Sequence, residues 1–134
     1  MTGILVDSNV ILDVFLNDSK WADWSEYKLE ECGNRASLYI NSIIYSEISI
    51  GFKLIEDLES AVNKAGFKLL EIPKEALFLA GKAYIKYKIR GGAKITPLPD
   101  FFIGAQAAVL NLDLLTRDVS RYKTYFPTVK LIVP

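Results

Sequence analysis

Four carboxylates occupy positions from which an α/β chain does chemistry. Asp7 follows the apolar run Ile4, Leu5, Val6 at once, and Asp118 follows the expected strand 112–115 after only Thr116 and Arg117. In open α/β sheets reactive groups collect outside the carboxyl ends of the strands, so both aspartates stand where such a fold keeps its site. Asp100 directly precedes Phe101, Phe102, Ile103, Ala105, Ala107, Ala108 and Val109, a helix so apolar that it must be buried. There Asp100 can cap the helix, meet its dipole or bind a cation. Glu47 lies among Ile43, Ile44, Ile48 and Ile50, an apolar face on which a carboxylate is costly unless paired or metal-bound. Plainer roles stay open at this point: Asp7 can be no more than a helix cap, and Glu47 can look outward beside Ser46.

What surrounds these acids narrows the chemistry. The chain of 134 residues has no histidine, and Cys32 is its only cysteine. That excludes Ser-His-Asp and Cys-His nucleophile systems, histidine zinc sites and a disulfide framework, so an enzyme here must work with carboxylates and a metal. A lone cysteine suits a reducing compartment, and a cytoplasmic location is expected. Asp7, Asn9 and Asp13 interrupt the opening apolar run and no basic segment precedes it, so no export signal is expected. No stretch approaches the roughly 20 apolar residues of a membrane span.

Net charge is zero, yet the charges are sorted. Residues 1–60 hold eleven acids and four bases, residues 61–134 five acids and twelve bases, a swing from minus seven to plus seven. Between Glu75 and Asp100 there are only bases: Lys82, Lys86, Lys88, Arg90 and Lys94. An acidic pocket beside a basic, phosphate-holding surface would look like this. Lys82, Lys86 and Arg90, spaced i, i+4 and i+8, are equally the pattern of one solvated helix face.

The elements that must position these residues follow from periodicity and punctuation. A strand, sharp turn and short helix occupy 3–16. Asp18 or Ser19 can cap a helix through Trp21, Trp24, Tyr27 and Cys32 that Gly33 and Asn34 end. A strand at 37–40 leads through Asn41 or Ser42 into the helix of Glu47. A helix over 55–65 closes at Gly66, a strand covers 67–72, and Pro73 opens a long helix from Lys74 to about Arg90. The segment 91–99, rich in glycine and proline, is expected to be a loop. The helix behind Asp100, a strand at 112–115, a short segment around 122–126 and a last strand at 129–133 complete the chain. Five short apolar strands separated by helices predict one domain, 1–134, with a mainly parallel sheet and helices on both faces.

Taken together, Asp7 to Asn9 (DSN), Glu47 to Gly51 (EISIG), the PDFFIGAQA run from Pro99 and the LLTRD stretch ending at Asp118 resemble the PIN domain. The likeness is nearest to the VapC-type toxins of prokaryotic toxin–antitoxin pairs and extends over nearly the whole chain. It implies a PIN-like three-layer sandwich and a ribonuclease that depends on Mg²⁺, with Mn²⁺ able to substitute. The acidic quartet it implies is Asp7, Glu47, Asp100 and Asp118. Asn9 matches the small polar residue after the first aspartate, and Thr116 the hydroxyl before the last. A VapB-like antitoxin and a homodimer are implied as well. The 91–99 loop departs from the family pattern, which leaves substrate choice open there.

Four carboxylates within a few ångströms repel one another, so either their pKa values rise or a divalent cation neutralises them. In this scheme Asp7 and Asp100 are direct ligands, while Glu47 and Asp118 grip the cation's waters or a second ion. Lys94, Arg117, Lys82, Lys86 and Arg90 hold the RNA backbone. Two rivals differ in kind. An aspartyl-phosphate phosphatase needs a second Asp two positions after the first, where this chain has Asn9. A catalytically silent PIN-like module would bind RNA or protein without turnover.

Overall fold

β1 (Gly3–Val6) is buried along its whole length, as a strand is when a parallel sheet is covered on both faces. The other strands are β2 (Ser37–Ile40), β3 (Phe67–Leu69), β4 (Asp113–Leu115) and β5 (Leu131–Ile132). In the computed structural model, which describes residues 3–91 and 98–134, they form one parallel sheet in the order β3-β2-β1-β4-β5. Leu5 sits between Tyr39 on one side and Leu114 on the other. The helices are α1 (Ser8–Phe15), α2 (Ala22–Arg35), α3 (Ser42–Ile48), α4 (Ile55–Ala65), α5 (Lys74–Ile89), α6 (Leu98–Val109) and α7 (Ser120–Tyr125).

The chain steps from β1 to β2 to β3 in one direction, then returns past β1 to β4 and β5. Right-handed crossovers make that reversal place the helices of the two halves on opposite faces. The three-layer α/β architecture expected from the sequence is the one found. The reversal falls between β1 and β4, the switch point where open sheets leave a crevice at their carboxyl edge. Asp7 and Thr116 are the first residues beyond those two strands.

Two devices hold this edge in place. Phe101 of α6 is fully buried and packs against Tyr84 and Tyr87 of α5, Tyr125 of α7 and Phe126, so one aromatic cluster clamps three helices. Gly104 keeps α6 close, since a β-carbon there would run into the Phe126 ring. On the other side of β1, the buried Asn41 caps α3 by accepting from the Ile44 N–H at 2.8 Å and donates to Gln106 Oε1 at 2.7 Å. Gln106 in turn donates to the carbonyls of Leu70 and Glu71 at 3.2 and 3.1 Å, tying α6 to the chain leaving β3.

Several boundaries differ from the sequence-based expectation. α2 starts at Ala22 without a side-chain cap, while Asp18 accepts from the Lys20 and Trp21 N–H groups in the turn before it. It also runs through Gly33 and Asn34 to Arg35, because these sit on an exposed surface where a glycine costs a helix only about 1 kcal/mol. β3 ends at Leu69 rather than Ile72: Leu70 still donates to Ile40 at 2.8 Å, but its own carbonyl is taken by Gln106. Pro73 caps α5 instead of entering its first turn, and Pro99 belongs to the first turn of α6 rather than to the loop. The remainder of that loop, 92–97, lies outside the described residues.

Candidate active site

Asp7 is both the cap of α1 and the centre of a hydrogen-bond network. Its N–H donates to the Leu115 carbonyl at 2.9 Å, which locks the end of β1 to the end of β4. Oδ1 accepts from the Ser8 N–H at 2.8 Å. Oδ2 accepts from Thr116 Oγ1 at 2.8 Å, from Tyr122 Oη at 3.0 Å and, more distantly, from Asn9 Nδ2 at 3.4 Å. The capping role and the site role thus coexist in one side chain. Burial of this carboxyl (4% exposed) pushes its pKa up to about 6, the Asp100 and Glu47 charges add to that, and the Thr116 and Tyr122 hydrogen bonds hold it back.

The other three acids converge on the same crevice from separate elements. Glu47, half-buried in the last turn of α3, accepts from Ser8 Oγ at 2.9 Å. Burial raises its pKa, opposed by that bond and assisted by the Asp100 charge. Asp100, in the first turn of α6, accepts from Arg121 Nη1 at 2.7 Å. Burial raises its pKa too, against the pull of Arg121 and with the Asp118 charge adding. Asp118 follows β4 and is positioned through its N–H, which donates to Thr116 Oγ1 at 3.0 Å. Buried Tyr122 is held well above the ordinary phenol range, first by desolvation and then by the Asp7 and Asp100 charges, so it serves as a neutral donor.

Asp7, Glu47 and Asp100 therefore share one electrostatic environment, and the Asp118 charge reaches it through Asp100. Among the described residues, however, no three such side chains already form a finished metal cage. The donor set still fits a hard divalent cation: all its ligand atoms are carboxylate oxygens, and three of the four acids are raised by burial and by one another. Neutralising that charge is what would let the side chains close together.

The basic residues divide differently from the sequence expectation. Arg117 is committed to Asp13 through Nε and Nη2 at 2.8 and 2.9 Å, and its guanidinium lies over the Trp21 ring at 5.1 Å. Asp13 is itself buried and also accepts from Ser25 Oγ at 2.6 Å, so this group anchors α2 to α1 and to the loop after β4. Lys82, Lys86 and Arg90 are all exposed, with Lys82 over the Phe78 ring and Arg90 over Tyr125. Lys94 lies outside the described residues.

Sequence inspection missed Ser8, Tyr122, Arg121 and Asp13. Ser8 follows Asp7 directly, but its hydroxyl meets Glu47 only after folding, as Tyr122 meets Asp7, and no local pattern marks either contact. Arg121, three residues after Asp118, was the one whose spacing could have drawn notice.

The PIN domain family model matches residues 4–127 of the chain. No curated protein sequence is significantly similar. Among solved structures, a chain of VapBC2 from Rickettsia felis bound to a promoter DNA fragment superposes with a TM-score of 0.75 at 18% identity, over 99% of each chain. VapBC-1 from nontypeable Haemophilus influenzae gives 0.74 at 17% identity over 98% of each chain. DNA-bound VapBC from Salmonella typhimurium gives 0.72 at 17% identity, over 99% of this chain and 98% of that one.

Proposed function

Because this chain belongs to the PIN domain family, as the match over residues 4–127 shows, we propose that it is a VapC-type toxin, a ribonuclease dependent on Mg²⁺ or Mn²⁺. The observation that carries this is the convergence of four acids from four elements on the switch-point crevice, with Asp7 raised to about 6 partly by the charges of Asp100 and Glu47.

In this account Asp7 and Asp100 hold the cation directly, and Glu47 and Asp118 bind its water shell or a second ion. Bound there, the cation supplies Lewis acidity and an activated water beside a phosphodiester. The chain does the positioning. Thr116 and Tyr122 aim Asp7 through one oxygen, Ser8 fixes Glu47, and Asn9 and Thr116 link Asp7 to the loop that carries Asp118. Without histidine, proton movement falls to the carboxylates, among which burial raises Asp7 to about 6 and lifts Glu47 and Asp100 above the ordinary carboxylate range. Exposed Lys82, Lys86 and Arg90, with Lys94, hold the RNA backbone, giving affinity that falls with salt.

The fold neighbours are toxin–antitoxin complexes, which supports a VapB-like antitoxin as partner; we also take the toxin to be a homodimer working in the cytoplasm. The Arg121–Asp100 ion pair favours one second reading, a catalytically silent RNA- or protein-binding module. RNA cleavage separates the two. The wild-type chain should cut RNA with Mg²⁺ or Mn²⁺, stop with EDTA, and lose about 100-fold or more in Asp100→Asn. Binding without cleavage under all metals would establish the silent module instead.

A further inference from the structure

Among the described residues, the only ion pair made by any of the four acids is that of Asp100 with Arg121. Both side chains are about a quarter exposed (25% each), so the pair can part without disturbing the core. Its guanidinium carbon lies 5.8 Å from the centre of the Tyr87 ring, and Tyr87 is itself braced against Phe101 and Tyr125. Arg121 thus rests between an aromatic wall and a carboxylate from which a cation would need an oxygen. A planar guanidinium also fits a phosphate as well as it fits a carboxylate.

We propose that Arg121 exchanges partners during the reaction cycle: it neutralises Asp100 while the site lacks a divalent cation, and it passes to an RNA backbone phosphate when the cation takes Asp100. This rests on the nuclease reading above and adds a positioning residue to it. The exchange has two consequences of opposite sign. Arg121 competes with the metal, yet it assists RNA binding once metal is present. A residue that merely supported the fold would weaken both on removal.

The test is a pair of affinities for Arg121→Gln. Mn²⁺ binding by calorimetry should tighten roughly five-fold, the worth of a partly exposed ion pair. Binding of a labelled single-stranded oligoribonucleotide in Ca²⁺, followed by fluorescence anisotropy, should weaken roughly ten-fold, as for one charge-assisted phosphate contact. Arg121→Lys, which keeps the charge but not the fork, should fall between wild type and Arg121→Gln in both. Lys123→Gln removes an exposed charge from the same helix and should leave Mn²⁺ affinity unchanged, separating exchange from general repulsion. Loss of both affinities, no change in either, tighter metal with unaltered RNA binding, or a Lys123→Gln effect on Mn²⁺ equal to that of Arg121→Gln would each overturn the exchange. Absence of any Mn²⁺ binding by the wild-type chain would remove the nuclease reading itself, and the exchange with it.

Discussion

Asp7→Asn should make the metal-free protein more stable at pH 8 and less stable near pH 4. Burial and neighbouring charges raise the Asp7 pKa from 3.8 to about 6. The folded state therefore binds a proton more tightly than the unfolded chain, and wild-type stability falls as pH rises between those two values. Below 3.8 the carboxyl is neutral in both states and the penalty is absent. Above 6 it is complete, and a rise from 3.8 to about 6 corresponds to about 3 kcal/mol.

Asparagine removes that penalty at every pH, but it brings its own cost. Ser8 N–H points at Oδ1, and the Thr116 and Tyr122 hydroxyls point at Oδ2. An amide can keep the Ser8 bond through its oxygen only by turning its NH₂ toward the two hydroxyls, which must then reorient to accept and give up their own bonds to Oδ2, costing about 1–2 kcal/mol. The net is a gain of about 1–2 kcal/mol at pH 8 and a loss of similar size near pH 4. Urea unfolding of both proteins in EDTA at the two pH values measures it. A stability difference that is the same at pH 4 and pH 8 would refute the view that Asp7 is held ionised at a cost.

Other consequences follow from the same geometry. Mn²⁺ at 100 times its dissociation constant should stabilise the wild-type chain by about 2.7 kcal/mol in a thermal scan, provided it binds only the folded state, and Asp7→Asn should show no such gain. Asp13→Asn breaks the pair that holds Arg117, and with Arg117 at 27% exposure the loss should be about 2 kcal/mol by urea titration; Mn²⁺ affinity should be unaffected. Gly104→Ala should cost about 1–3 kcal/mol, because the Phe126 ring must give way. Ser8→Ala frees Glu47 from its hydrogen bond, and in a cleavage assay it should lower activity about 10-fold with little change in unfolding midpoint.

The chain shows its fold plainly because its strands are short apolar runs separated by helical patterns, the signature of a parallel sheet. Asp7, Asp100 and Asp118 were legible for the same reason: each marks the point where an apolar element meets polar residues, and such points lie on the sheet's carboxyl edge. Glu47 was legible because a carboxylate among isoleucines asks for a partner. Of the partners, Thr116 was marked by the family resemblance, but Ser8 and Tyr122 were hidden. They come within hydrogen-bond distance of Glu47 and Asp7 across 39 and 115 residues, and no periodicity encodes contacts of that range. Arg117 shows the converse. An arginine beside a candidate site aspartate invites a phosphate-binding role, but the buried Asp13 on α1, unremarkable in sequence, holds it instead. β3 was overextended because Leu70 and Ile72 are apolar and pack on the core, while pairing is cut short by a side chain, Gln106, from an element 35 residues away.

The most direct measurement is a crystal of the wild-type chain grown with Mn²⁺, examined by anomalous scattering. The account predicts a manganese peak in the crevice between β1 and β4, about 2.1 Å from a carboxylate oxygen of both Asp7 and Asp100, with Arg121 withdrawn from Asp100. A fully occupied manganese elsewhere on the molecule, or an empty crevice with the Arg121–Asp100 pair intact at saturating Mn²⁺, would contradict it.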